Sequence, residues 1–127
     1  MHVLLVDDHP IIHETLRAML RTLRPAAECH SQFDLEAGLS EARRLRELEL
    51  VLLDLGLPGC AGVDSLVQFR RAVPHARVVV ISADADDECV RAALDEGAAG
   101  YLPKTLRPKA MVDALRTILD GGVYTPH

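Results

Sequence analysis

The chain has 127 residues, enough for one domain and too few for two of ordinary size. Hydrophobic residues make up 49% and charged residues 26%, which excludes a disordered tail and allows a core that needs no disulfide staples. With 14 Lys and Arg against 19 Asp and Glu, the net charge is −5, so the basic face that a general nucleic-acid binder needs is lacking. Aromatic residues are only 3%, so the core has to be aliphatic. Cys29, Cys60 and Cys89 are widely spaced and form no Cys-x-x-Cys pair, so no zinc or redox motif is expected from them, and a reducing compartment suits them. The longest apolar runs, residues 50–53 and 78–81, are too short to cross a bilayer, and residues 1–8 turn acidic where a signal peptide would not. A cytoplasmic location without membrane association is therefore expected.

The hydrophobic pattern changes period repeatedly along the chain. Val3-Leu4-Leu5-Val6 is a continuous apolar run, as in a strand buried on both faces. Ile12, Leu16, Leu20 and Leu23 follow at helical spacing, and Pro25 ends that stripe. Residues 27–31 are a weak strand candidate. Leu35, Leu39, Ala42 and Leu45 mark a second helix, with Asp34 as its N-cap and its charged residues as a solvated face. Leu50-Val51-Leu52-Leu53 is the strongest strand signal and runs straight into Asp54. A turn, Gly56-Leu57-Pro58-Gly59, comes next, then a helix carrying Val63, Leu66, Val67 and Val73 up to Pro74. Val78-Val79-Val80-Ile81 is another strand, Val90, Ala93 and Leu94 a short helix stopped by Gly97, and Gly100-Tyr101-Leu102 a fifth strand. Met111, Leu115, Ile118 and Leu119 form the last helical stripe, closed by Gly121-Gly122.

Five strands alternating with five helices imply an α/β fold with a doubly wound parallel sheet, and the common flavodoxin-like order 2-1-3-4-5 is expected. In such sheets ligands bind beyond the carboxyl ends of the strands, at the point where strand order reverses. The first strand ends in Asp7 and Asp8, the third in Asp54 and the fourth in Ser82, and Lys104 follows the fifth. Any one of these is more often a turn former or a solvated side chain than a functional group. Their convergence on one edge is another matter. Clustered carboxylates resist ionisation unless a cation neutralises them, and an oxygen-only site with few protein ligands suits Mg²⁺. Lys104 and Ser82 are matched to phosphoryl oxygens, and a carboxylate can accept a phosphoryl group covalently. The set reads as a site that forms an aspartyl phosphate with metal assistance.

These residues resemble the receiver domain of bacterial two-component response regulators. The resemblance runs through Val6-Asp7-Asp8-His9, Asp54-Leu55-Gly56-Leu57-Pro58 with Gly62, Ile81-Ser82-Ala83, and Gly97-Ala98-Ala99-Gly100-Tyr101-Leu102-Pro103-Lys104. It implies that Asp54 is the phosphoacceptor, that Asp7, Asp8, Asp54 and the backbone carbonyl of Gly56 hold Mg²⁺, and that Lys104 pairs with the phosphoryl group. It also implies a switch in which Ser82 moves toward the phosphate and Tyr101 turns inward. The domain would catalyse its own phosphorylation and dephosphorylation without being an enzyme in the usual sense, drawing on a sensor histidine kinase as donor. Thr105 stands where many receivers carry proline. Asp7 and Asp8 are adjacent, which sets the chain apart from haloacid-dehalogenase-type phosphatases with their Asp-x-Asp pair.

The carboxyl end, with Ala114-Leu115, Ile118-Leu119 and Gly121-Gly122-Val123-Tyr124, resembles regulators of the NarL/LuxR type. That implies a receiver over residues 1–122 and, over 123–127, the start of a linker to an output domain absent from this chain. Such output domains are helix-turn-helix modules that bind DNA and control transcription. A homodimer formed on phosphorylation is a further expectation. His9 is expected to border the acidic pocket and His13 to face solvent.

Overall fold

The computed structural model describes residues 1–56 and 62–126. Leu57, Pro58, Gly59 and Cys60, to which the expected turn and part of the family motif fall, lie outside the described residues.

The elements follow the sequence periods closely: β1 (His2–Val6), α1 (Pro10–Leu23), β2 (Glu28–Gln32), α2 (Leu35–Arg44), β3 (Leu48–Asp54), α3 (Asp64–Ala72), β4 (Arg77–Ser82), α4 (Asp87–Asp95), β5 (Gly100–Pro103) and α5 (Pro108–Leu119). The strands form one parallel sheet, as the alternation implied, in the expected order β2-β1-β3-β4-β5. Proline at the first turn opens both α1 and α5, where its missing N–H costs nothing. Asp34 caps α2 by accepting from Ala37 N–H at 2.8 Å, and Asp86 caps α4 by accepting from Cys89 N–H at 2.8 Å. Beyond α4, Gly97 takes φ +91°, a left-handed conformation that glycine adopts without strain.

Side chains alternate across the sheet and build a core on each face. Leu4, Val6, Val51, Leu53, Val78, Val80 and Tyr101 pack under α2, α3 and α4 with Leu39, Leu66, Phe69 and Val90. Val3, Leu5, Leu50, Leu52, Val79, Ile81 and Leu102 pack under α1 and α5 with Leu16, Leu20, Leu115 and Ile118. This is why the strands read as unbroken apolar runs: both faces are covered. β2 is the exception. It lies at the edge, is built from Glu28, Cys29, His30, Ser31 and Gln32, and has no fully buried residue, which explains its weak sequence signal.

The register sets the functional edge. Val6 lies opposite Leu53, Asp54 opposite Ile81, and Ser82 opposite Pro103. The residues that follow β1 and those that close β3, β4 and β5 therefore come level at one end of the sheet.

At the other end of α5 the chain stays attached to the sheet. The Arg77 guanidinium donates to the carbonyls of Ile118 and Gly122. Tyr101 N–H then donates to the Tyr124 carbonyl at 2.9 Å.

Gly38 marks the closest approach of α2 to the sheet. A Cβ built there would lie 3.0 Å from Phe69 Cζ and from both Val6 methyls, all in the core. Gly38→Ala should therefore destabilise the fold by about 1–2 kcal/mol through overpacking, although alanine is the better helix former by about 1 kcal/mol. Urea midpoints of the two proteins check this, and a more stable variant would show that the interface yields.

Candidate functional site

Three strand ends are closed in the same way, by a side chain that accepts from the backbone N–H two residues on. Asp7 Oδ1 takes His9 N–H at 2.8 Å, Asp54 Oδ1 takes Gly56 N–H at 3.0 Å, and Ser82 Oγ takes Asp84 N–H at 3.0 Å. These local turns fix each side chain relative to its own strand. The sheet then fixes the strands relative to one another.

Asp7 and Asp54 are buried, with side chains 1% and 5% exposed, while Asp8 is one-third exposed. Lys104 reaches across from the end of β5. Its Nζ lies 2.8 Å from Asp7 Oδ2 and 3.1 Å from Asp54 Oδ2. Burial raises the Asp7 carboxyl, but Lys104 and the two His9 hydrogen bonds outweigh it and hold Asp7 below its ordinary value of 3.8. Burial likewise works against the Lys104 ammonium, and Asp7 and Asp54 together hold it above its ordinary 10.5. His9 Nδ1 sits 2.8 Å from Asp7 Oδ1 and 3.0 Å from Asp8 Oδ1, so His9 borders the acidic pocket as expected.

His13 departs from expectation. It is buried instead of facing solvent: its Nε2 donates to the Asp7 carbonyl at 2.7 Å, and its ring packs on Phe33 with centroids 4.3 Å apart. One turn into α1, a polar residue next to a strand end finds a backbone acceptor there, and helical spacing alone does not reveal that acceptor. His13 thus fastens α1 to the loop that carries the acidic pair.

Ser82 is nearly buried and lies beside the cluster. Its hydroxyl accepts from Asp84 N–H and lies near the Tyr101 phenol. Tyr101 is fully buried and donates its O–H to the Asp84 carbonyl. Burial, followed by the nearby acidic groups, pushes its phenol up despite the nearby Ser82 hydroxyl. The structure therefore brings Asp7, Asp8, Asp54 and Lys104 together, and sets Ser82 and Tyr101 as a second pair joined through the 82–84 turn. Gly56 meets the site through its N–H. Lys104–Thr105 is trans, like every peptide bond among the described residues.

The donor set fits a hard divalent cation. Ligand atoms of Asp7, Asp8, His9 and Asp54 lie within 4.8 Å of one another. Asp7 Oδ2 and Asp8 Oδ1 are buried without a hydrogen-bond partner of good geometry, the Lys104 contact to Asp7 being an ion pair only. Three carboxylates against one ammonium leave an excess of negative charge, and oxygens met only by the ion-pair contacts of Lys104 and His9 are what a Mg²⁺ ion would satisfy.

A five-stranded doubly wound sheet with an acidic pocket at its reversal point defines the class: a flavodoxin-like α/β domain. A model of the family described as the response regulator receiver domain matches residues 3–116. The chain is 36% identical over 124 residues to the glycerol metabolism activator of Pseudomonas putida, covering 98% of this chain and 56% of that protein. It is 32% identical over 119 residues to the nitrate/nitrite response regulator protein NarL of Escherichia coli K12, covering 94% of this chain and 55% of that one. Among solved structures, a LuxR family DNA-binding response regulator from Silicibacter pomeroyi superposes with a TM-score of 0.85 at 29% identity, over all of this chain and 98% of that one. The chain belongs to the response regulator receiver domain family and to its NarL/LuxR type. It spans a little over half the length of the curated relatives named.

The pairing gives a signed pH dependence. The depressed Asp7 contributes stability above its ordinary 3.8 that is lost as pH falls through the lowered value. The raised Lys104 contributes stability below its ordinary 10.5 that is lost as pH climbs past the raised value. Lys104→Met leaves buried carboxylates facing one another, so Asp7 should shift upward in the variant. The variant should be less stable than the parent by about 3 kcal/mol at pH 7, with the deficit shrinking toward pH 4. Chemical denaturation at several pH values measures this, and a deficit independent of pH would refute the assignment of Lys104 as the counter-charge.

Proposed function

We propose that this domain is a phosphorylation-dependent signalling switch in which Asp54 is the phosphoacceptor. The observation that carries the reading is Asp54 itself: a buried carboxylate with one oxygen held by Gly56 N–H and the other paired to Lys104, beside two further carboxylates. An Asp54 oxygen attacks phosphorus as the bond from phosphorus to the donor's leaving atom breaks, and the leaving imidazole of a phosphohistidine takes up a proton from water. Lys104 neutralises charge on the transferring oxygens, which then replace Asp54 as its partner. Asp7, Asp8, Asp54 and the Gly56 carbonyl are the residues that would hold Mg²⁺, which when bound would offset the negative charge of both the pocket and the incoming phosphoryl group. The domain supplies this chemistry to itself and turns over no separate substrate.

The readout runs through Ser82 and Tyr101. The Ser82 hydroxyl accepts from Asp84 N–H, and its own proton is the group a phosphoryl oxygen would recruit. Because the 82–84 turn also holds the Tyr101 hydroxyl, drawing Ser82 toward Asp54 biases the position of Tyr101 and the start of α4. Tyr101 is buried in this structure, and phosphorylation would act by biasing the equilibrium between its inward and outward positions.

The family supports the rest of the reading. The donor is a sensor histidine kinase, and phosphorylation promotes a homodimer. Residues 1–122 are the receiver, and 123–127 begin a linker toward an output domain. The relatives named a metabolism activator, a nitrate/nitrite response regulator and a DNA-binding regulator support transcription control through such a domain. The family reading also supports a place in the cytoplasm; among the described residues no helix is long and apolar enough to cross a membrane.

Incubation with acetyl phosphate and Mg²⁺ should add a single phosphoryl group, detected by intact-protein mass. Asp54→Asn should accept none, and a label persisting in that variant would reassign the acceptor. Mg²⁺ alone should raise the thermal midpoint of the parent, and Asp8→Ala should abolish that rise. A rise retained in Asp8→Ala would remove Asp8 from the metal site.

A further inference from the structure

At the end of the sheet opposite the acidic pocket, three metal-ligating side chains converge from the starts of edge strand β2 and its parallel neighbour β1. His2 on β1 lies opposite Glu28 on β2, and His30 lies opposite Leu4, one alternation further along each strand. Leu4 packs in the core under α2, so His2, Glu28 and His30 fall on that same face of the sheet. His2 Nδ1 is 3.0 Å from His30 Nε2 and 3.2 Å from Glu28 Oε2, and ligand atoms of all three residues lie within 4.8 Å of one another. A tetrahedral Zn²⁺ site with bonds of about 2.0–2.1 Å has ligand-to-ligand edges of about 3.3 Å. The two short separations are close to such edges.

The surroundings favour the same reading. His2 and His30 are three-quarters buried, so their ring nitrogens are partly desolvated, whereas Glu28 is open to solvent. His30 turns its other nitrogen, Nδ1, toward Glu41 Oε1 on α2 at 3.6 Å. Glu41 is itself held by Arg44, which donates to Oε2 from Nε at 3.0 Å and from Nη2 at 2.6 Å. A carboxylate behind a histidine, fixing which ring nitrogen faces forward, is the usual support of a histidine ligand. Two imidazoles and a carboxylate select borderline ions such as Zn²⁺ over Mg²⁺ or Ca²⁺, which want oxygen alone.

We propose that His2, His30 and Glu28 form a site for Zn²⁺ or a similar borderline divalent cation, with Glu41 as a positioning residue for His30 and one coordination position left to water. The ion replaces the contact between the two imidazoles and ties edge strand β2 to β1. It is separate in place and in chemistry from the acidic pocket and does not depend on the proposed phosphorylation.

The test is a Zn²⁺ titration of the protein, free of affinity-tag histidines, by equilibrium dialysis, with thermal midpoints and the visible absorption of the Co²⁺ form as parallel readouts. In Asp8→Ala, which lacks the acidic-pocket ion, one ion should bind, raise the midpoint and give the intense band of four-coordinate Co²⁺. His2→Gln and His30→Gln should each weaken binding by about tenfold or more, and Glu41→Gln by about tenfold. Glu28→Gln alters a solvent-open side chain, so it tests the site without endangering the fold. Failure of the parent to bind Zn²⁺ would overturn the proposal. So would binding that Asp8→Ala abolishes, or binding unchanged by Glu28→Gln and by the two histidine variants together.

Discussion

One ammonium serves two buried carboxylates that lie on different strands. Lys104 reaches Asp7 and Asp54 at about hydrogen-bond length, and each of those acids is pinned locally by a backbone N–H two residues ahead. Burying either acid unpaired would cost several kcal/mol. The chain can place them side by side only because β5 delivers a cation to the same edge. The arrangement is compact yet unsaturated: Asp7 Oδ2 and Asp8 Oδ1 are met only by ion-pair contacts, and the local charge stays negative. A pocket that is satisfied structurally and unsatisfied electrostatically is suited to receive a cation and to exchange the lysine's partner when a phosphoryl group arrives.

The frame that produces this edge follows from simple rules. Apolar strands covered on both faces, crossovers of one hand and a sheet order that reverses beside β1 leave little freedom in where the strand ends meet. Each helix then contributes through a specific attachment. His13 ties α1 to the Asp7 carbonyl, and Gly38 lets α2 settle against Val6 and Phe69.

Much of this was legible in the residues. The unbroken runs 50–53 and 78–81 locate the central strands because both faces are buried, Asp54 and Ser82 stand out by their place after those runs, and Lys104 by its place after the short strand at Gly100-Tyr101-Leu102. Strand β2 read poorly because an edge strand holding Glu28, His30 and Gln32 has little apolar signal to offer. His13 was misjudged, since its acceptor is a backbone carbonyl, which carries no mark in the sequence. The meeting of His2 with His30 was invisible for a related reason. The two are 28 positions apart, and only the pairing register of β1 with β2 puts them together. Local chemistry is written in neighbours along the chain, whereas long-range chemistry becomes readable once the strands are in register.

The attachment of residues 122–124 bears on how a signal could leave the domain. Arg77 clamps the carbonyl that ends the last turn of α5 and the Gly122 carbonyl, and the backbone N–H of Tyr101 holds Tyr124. The departing polypeptide is thus moored to the very strand residue whose aromatic ring lies against the 82–84 turn. A tilt of β5 would therefore carry residues 122–124 with it through two carbonyl moorings and one amide.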